Sequence, residues 1–390
     1  MYRQSISINR NTLPLIWCSF FLGVASLWAL IPTMYSLYEG NIDWKQCIAG
    51  FDNFFQPSVL FFTMAIILHR VDVYGRHDLL NNAIILYLIV LSLNALFSIG
   101  TIFFDLSSVV KYFVASTGIE QSVWARAEKM GRYTGIFNQP VEAGLAYTIG
   151  IFGWVFRVGQ LRKVTKLYWC LILFIITGGI ITMSKTFLFG GLPIGLFYWL
   201  FLGSHQVKRL RTFVGMILVL LVIYTVLSKW MSFEFILRFF NSKRGFSIAN
   251  LFYYIIAGRY ESGEVSTIKT LFNETINHAP LCGFGYGATS TLESVYIEYF
   301  YLGGGVALAF YLLVMCLCIL ITIISFKMRV HEVYFFRVLT IIMIIAGIGG
   351  PVLTMNRVSV VLVVFVSLSL GVISSIKKSE RTTCQFRYYY

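Results

Sequence analysis

Four stretches of the chain concentrate the residue types that do chemistry. The first is Gly131-Arg132-Tyr133-Thr134-Gly135-Ile136-Phe137-Asn138-Gln139-Pro140-Val141-Glu142, and the second is Thr182-Met183-Ser184-Lys185-Thr186. The third is Gly258-Arg259-Tyr260-Glu261, and the fourth runs from Pro280 to Gly304 as PLCGFGYGATSTLESVYIEYFYLGG. Together they supply fixed cations, glycine turns and carboxylates. Arg132, Lys185 and Arg259 suit a multiply anionic group such as a lipid pyrophosphate, because arginine offers a planar fork for phosphate oxygens and lysine a point charge. Each of these cations also suits pairing with an acid or a lipid headgroup. Lys185 fits that pairing less well than Arg132, since a charge in a short hairpin between apolar runs has few other uses. Glu293 and Glu298 stand five residues apart, so on one continuous helix they point about 140° apart and do not form a close dyad. A partly buried carboxylate at Glu298 suits taking a proton from a sugar hydroxyl. Glu293 suits that role and equally suits capping a helix N-terminus, which acids favour through the helix dipole. His278, ahead of Ala279-Pro280, reads as a helix C-cap before it reads as a base.

Metal and cofactor chemistry find little support in the sequence. The seven cysteines form no CxxC, and Cys316-Leu317-Cys318 would point its thiols to different faces of an apolar helix. There is no Walker A motif, and Gly283-Phe284-Gly285-Tyr286-Gly287 lacks the preceding strand that a dinucleotide fingerprint needs. The expectation is an activity with no cofactor and no metal.

These residues must be positioned by elements of an unusual composition. Of 390 residues, 58% are hydrophobic and 12% charged, about half the charge of a soluble domain. That excludes a soluble enzyme, a disordered chain and a disulfide scaffold. Crossing about 30 Å of hydrocarbon takes about 20 apolar residues in a helix. Ten such runs occur, near 13–33, 54–68, 83–104, 143–156, 167–184, 186–204, 212–228, 300–326, 338–356 and 358–376. The expected fold is therefore all-α, a polytopic integral membrane protein of about ten transmembrane helices, with residues 1–390 as a single membrane domain. The second and fourth runs are short between their flanking charges, so loop residues such as Phe54, Phe55 and Ile136 are expected to complete them.

Lys and Arg set the orientation. With the N-terminus inside, the inner segments hold 18 cations against four acids and the outer segments 13 of each sign. The whole net charge of +14 then lies on the cytoplasmic face, which makes it a topology signal and removes the nucleic-acid reading. Both termini are expected in the cytoplasm. Two polar segments, 105–142 and 229–299, become extracytoplasmic loops too long for simple turns. Both carry amphipathic spacing: Leu106, Val109, Val110, Phe113 and Val114 in the first, and Val265, Ile268, Leu271, Phe272, Thr275 and Ile276 in the second. Phe246 to Gly258, apolar but short, reads as an interfacial or re-entrant helix.

At the four stretches the chain resembles the O-antigen polymerase and O-antigen ligase (Wzy/WaaL) superfamily. The resemblance rests on Arg132-x-x-Gly135-x-Phe137-x-x-Pro140, on Ser184-Lys185 in a hairpin, on Arg259 in a large outer loop, and on Pro280-Leu281-x-Gly283-x-Gly285 before Glu293-Ser294-x-Tyr296. It implies a GT-C-like, metal-independent glycosyltransferase of the bacterial cytoplasmic membrane, with a glycan on undecaprenyl pyrophosphate as donor. It also implies that Lys185 and Arg259 hold that pyrophosphate, and Glu293, ahead of Glu298 and His278, is the base expected beside them. Arg132, Glu298, His278 and Tyr296 then complete the candidate substrate-binding residues. A chain-length regulator and a flippase of the same pathway are the implied partners. Two departures matter: lysine replaces arginine at position 185, and Glu293 stands where ligases carry a histidine. The second shifts the expectation from ligase to repeat-unit polymerase. The ligase and, from another class, a lipid-linked oligosaccharide flippase remain the rival readings.

Overall fold

A computed structural model describes residues 12–40, 42–110, 112, 123–129, 131–161, 164–201, 264–288, 294–326, 328 and 330–387. Among these, every regular element is helical. The helices are α1 (Leu13–Tyr38), α2 (Trp44–Arg70), α3 (Val73–Phe103), α4 (Ser107–Val110), α5 (Val123–Lys129), α6 (Pro140–Gln160), α7 (Lys166–Ile181) and α8 (Leu192–Phe201). They continue as α9 (Glu264–His278), α10 (Val295–Ile324), α11 (His331–Ile348) and α12 (Asn356–Arg387). A π-helical turn, Thr186–Gly191, leads into α8.

Seven helices among the described residues are long and apolar enough to cross a membrane: α1, α2, α3, α6, α10, α11 and the Arg357–Ile376 part of α12. The runs 166–181 and 186–200 are equally apolar but shorter. The described residues are thus all-helical in their regular structure, and the chain has the character of a polytopic membrane protein. Its exposure pattern agrees: Phe20, Leu27, Ile31, Phe62 and Leu86 face outward, while Ser19, Ser26, Ser58, Ser92 and Thr148 are buried. Large apolar side chains outside and small polar ones between helices suit a hydrocarbon surround.

Several boundaries differ from the sequence expectation for a physical reason. α2 starts ten residues before position 54, because the Asp43 side chain caps its N-terminus by accepting from the Lys45 N–H at 3.2 Å. Phe54 and Phe55 are therefore interior helix residues and complete nothing as loop. α3 and α11 likewise begin early, at Val73 and His331, and absorb charges that a hydropathy reading leaves in loops. α11 ends at Ile348, where Gly349-Gly350-Pro351 breaks it and a turn leads to α12. The amphipathic segment before Pro280 is helical as expected, as α9. The expected span at 212–228 and the apolar segment 246–258 lie outside the described residues.

The chain divides into two compact units, Met1–Ala83 with Glu264–Tyr390, and Ile84–Gly263. In the first, α1 packs on α2 and α10, α2 on α12, and α11 on both α10 and α12. Paired serines close the α1–α2 seam: Ser19 Oγ donates to Ser58 O at 2.9 Å and Ser58 Oγ to Ser19 O at 2.7 Å. Arg76, 3% exposed, fastens three helices through main-chain carbonyls, donating to Val71 O, Leu68 O and Gly371 O and also to Ser375 Oγ. The centre of the second unit is α6, nearly all of whose residues are buried. Its neighbours approach closely because glycines line the contacts. A Cβ on Gly150 would meet Leu91, and one on Gly178 would meet Tyr147, each at 2.5 Å.

Candidate functional site

In the second unit, the first two motif stretches fold onto one another. Gly131 and Gly135 both take positive φ, at 72° and 66°, so the chain between α5 and α6 turns twice in a few residues. Arg132 leaves that loop half-buried. Its Nε donates to Thr182 O and its Nη2 to Met183 O, each at 3.3 Å. The adjoining Tyr133 N–H donates to Ile181 O at 3.2 Å. The arginine thus grips the hairpin that carries Lys185, fifty residues away in sequence. Met183 adopts φ 50° at the hairpin's apex, and Lys185, half-buried, begins the π-helical turn.

What fixes the Arg132 loop is a polar group inside a membrane helix. Asn94, in the middle of the apolar run of α3, is 3% exposed. Its Oδ1 accepts from the Ile136 N–H at 2.8 Å, and its Nδ2 donates to Tyr147 Oη at 2.8 Å and Thr134 O at 3.4 Å. Gly135 sits directly over it, and a Cβ there would lie 2.1 Å from Asn94 Oδ1. The glycine of Arg-x-x-Gly therefore serves a positive φ and a close approach at once. Glu142, also buried, has a local role: as an acid in the first turn of α6, its Oε2 accepts from the Asn138 N–H at 2.9 Å.

The fourth stretch organises the first unit. Gly304 interrupts α10 with φ 65° and ψ −165°. The break costs helical hydrogen bonds, and the 280–287 loop replaces them. Phe284 N–H donates to Tyr301 O, Gly285 N–H to Leu302 O, and Gly305 N–H to Pro280 O, at 2.7–2.9 Å. Such repair is what lets a broken helix persist in hydrocarbon. Gly283, Gly285 and Gly287 alternate with positive φ, from 69° to 86°. A Cβ on Gly283 or Gly304 would strike main-chain atoms within 2.6 Å. Tyr286 locks the loop to α1: its N–H donates to Thr33 Oγ1 at 2.7 Å and its hydroxyl to Ser26 O at 2.9 Å. Burial pushes the Tyr286 phenol well above its ordinary value. The glycine-rich loop thus repairs, with its own main chain, the break that Gly304 makes in α10.

Just before this break lies the first turn of α10, which holds Tyr296 and Glu298. Ser294, rather than Glu293, occupies the N-cap position, and its hydroxyl donates to Gly347 O at 3.0 Å. Tyr296 donates to Ile344 O at 3.1 Å, so its hydroxyl fastens α10 to α11. The half-buried Glu298 carboxylate accepts from Thr354 Oγ1, which lies 2.9 Å from Oε1 and 2.7 Å from Oε2. His278 is the last residue of α9 and is exposed. Arg259 and Glu293 lie outside the described residues.

The structure therefore brings Arg132 to the Lys185 hairpin in one unit and sets Glu298 and Tyr296 on one turn in the other. Asn94, Tyr147 and Thr354 were missed in the sequence. The available signal for Asn94 was its lone carboxamide in an uncharged run, because polar groups within membrane helices mark packing or function. Among the described residues, no group of three or more His, Cys, Asp or Glu side chains is placed to hold a metal ion. No known protein family, no curated protein and no solved structure matches the chain.

Proposed function

We propose that the chain is a repeat-unit polymerase of the outer face of a bacterial cytoplasmic membrane. It moves a growing glycan from undecaprenyl pyrophosphate onto an incoming lipid-linked oligosaccharide. It is a GT-C-like protein of ten spans, with both termini in the cytoplasm and the 105–142 and 229–299 loops outside. Lys185, Arg259 and Arg132 stabilise the leaving pyrophosphate as its charge develops, and a carboxylate at Glu293 or Glu298 takes the acceptor's proton.

The observation that carries this reading is the grip of Arg132 on the Thr182–Lys185 hairpin, which joins two of the motif stretches at one place. Arg132 spends two of its five N–H donors on carbonyls, so it acts first by positioning the hairpin. The test is glycan length on gels from cells lacking the gene and complemented with Lys185→Ala or Arg259→Ala. Each substitution is expected to lower polymer formation by about 10²–10³. Unchanged chain length and amount in both overturns the assignment. Accumulation of single repeat units on deletion supports a polymerase. Full-length polymer left unattached to lipid A core identifies a ligase, and loss of any outward-facing repeat unit identifies a flippase.

A further inference from the structure

Glu298 and Thr354 form an arrangement that ordinary helix capping does not require. The carboxylate sits in the first turn of α10, half-buried, and among the described residues no cation forms an ion pair with it. Thr354 is buried in the turn 351–355, and its single hydroxyl faces both carboxylate oxygens. The same hydroxyl also lies 3.1 Å from Pro351 O. A hydroxyl has one proton and two lone pairs, so these three acceptors define two complete hydrogen-bond states. With Glu298 ionised, Thr354 donates to the carboxylate. With Glu298 protonated, the carboxyl O–H donates to Thr354 Oγ1 and Thr354 donates to Pro351 O. In each state every proton of the pair has an acceptor, so the carboxyl can gain or lose its proton without orphaning a donor.

α1 has no charged residue between Leu13 and Tyr38, and α11 confines His331, Glu332 and Arg337 to its first two turns. α9 brings Glu274 to Tyr301, and the turn that supplies Thr354 runs on to Arg357. The phenols of Tyr286, Tyr299 and Tyr311 bear on the carboxylate. The Tyr299 hydroxyl is buried with no hydrogen-bond partner among the described residues.

We infer that Glu298 is the proton acceptor of the glycosyl transfer and that Thr354 is its positioning residue, a hydroxyl that turns from the carboxylate to Pro351 O as the proton arrives. This rests on the polymerase reading above. In the step, the acceptor sugar oxygen forms a bond to the donor's anomeric carbon. The bond from that carbon to the pyrophosphate oxygen breaks, and its electron pair leaves with the pyrophosphate. The hydroxyl proton passes to Glu298.

The test has two arms. The first is infrared difference spectroscopy of the purified full-length protein between acid and alkaline pH. A protonated-carboxyl C=O band is expected that disappears in Glu298→Gln, shifts in Thr354→Val and returns to its place in Thr354→Ser. The second is polymer formation in the deletion strain, which makes its own repeat unit. Glu298→Gln is expected to lower it by about 10²–10⁴. Thr354→Val should lower it about tenfold through loss of one bond to a charged group, and Thr354→Ser should restore it. Equal amounts of folded protein, read by size exclusion, show that the Thr354 variants share one structure. A carboxyl band indifferent to Glu298→Gln or Thr354→Val overturns the inference. Normal polymer from Glu298→Gln overturns it as well. Should the band behave as stated while wild-type cells make no polymer, the proton pair stands and the polymerase reading falls.

Discussion

Around Arg132, side chains rooted in membrane helices hold a loop in place; around Glu298, the main chain of a loop holds a broken membrane helix in place. The first region depends on Asn94, whose carboxamide bonds Ile136, Thr134 and Tyr147, and on a guanidinium spent on two carbonyls. The second depends on glycines whose bare Cα atoms let strands of backbone touch. The difference concerns how each region fails. A side-chain anchor is lost one bond at a time, whereas an interlocked backbone has no partial state.

Replacing Gly304 with Ala therefore carries the largest expected effect. Its Cβ would lie 2.2 Å from Leu281 main-chain atoms at φ 65°, costing about 3 kcal/mol or more, read as loss of monodisperse protein in detergent. Gly40, at φ 72° with nothing within 4 Å, is the control, and Gly40→Ala should cost only about 1 kcal/mol. If the two variants behaved alike, the interlock would not matter. Next comes Gly135→Ala, expected to cost about 2 kcal/mol, because the obstacle is a side chain that can be removed. In the double variant with Asn94→Ala the closest obstacle is gone and Ser98 Oγ, at 2.6 Å, is what remains, so the combined loss of thermal stability should fall short of the sum. Strict additivity would break the link between those residues.

A smaller effect is expected from Arg132→Lys, which keeps the charge but not the fork that spans two carbonyls. Polymer formation should drop about tenfold with little change in protein level. A wild-type glycan ladder would mean that only the charge matters there.

Tyr286→Phe is the mildest, at about 1 kcal/mol for the bond to Ser26 O. Its pH dependence has a definite sign. Burial holds the folded phenol above the unfolded value near 10, so its contribution is intact below that pH and declines as pH rises beyond it. The stability difference between wild type and Tyr286→Phe should therefore narrow on going from pH 9 to about 11. A constant difference would place that hydroxyl in water.

Long apolar runs and the hairpin at Ser184-Lys185 were legible in the sequence because hydrocarbon imposes length and charge rules on every span. The extension of α2 back to Trp44 was not. Lys45 and Asp52 lower local hydropathy, yet both are exposed, and the Asp43 cap decides the boundary. The motif glycines were visible, but their purpose was not. Gly135 needs Asn94 from α3, and Gly283 needs the backbone at Gly303 and Gly304, and such pairings have no fixed spacing. Thr354 gave no signal for the same reason, since a lone threonine beyond a Gly-Gly-Pro break resembles any turn residue until Glu298 is seen beside it.

The π-helical turn at Thr186–Gly191 also has a consequence for how this chain tolerates change. Hydrogen bonds that reach five residues back instead of four accommodate one surplus residue in the turn. Each α-helical residue rotates the chain by about 100°, so the surplus offsets the face α8 presents from the one an unbroken α-helix would present. Thr148 and Ile151 of α6 meet Gly191 and Gly195 across that offset face. Removing one residue between 186 and 191 would let the turn relax to regular helix with α8 still in phase with α6, because five α-helical residues sweep about 500°, close to what the six residues of the wider turn sweep. A one-residue deletion is therefore absorbed in the turn, whereas the same deletion just beyond it, between 192 and 194, would swing Gly195 by about 100° away from Ile151.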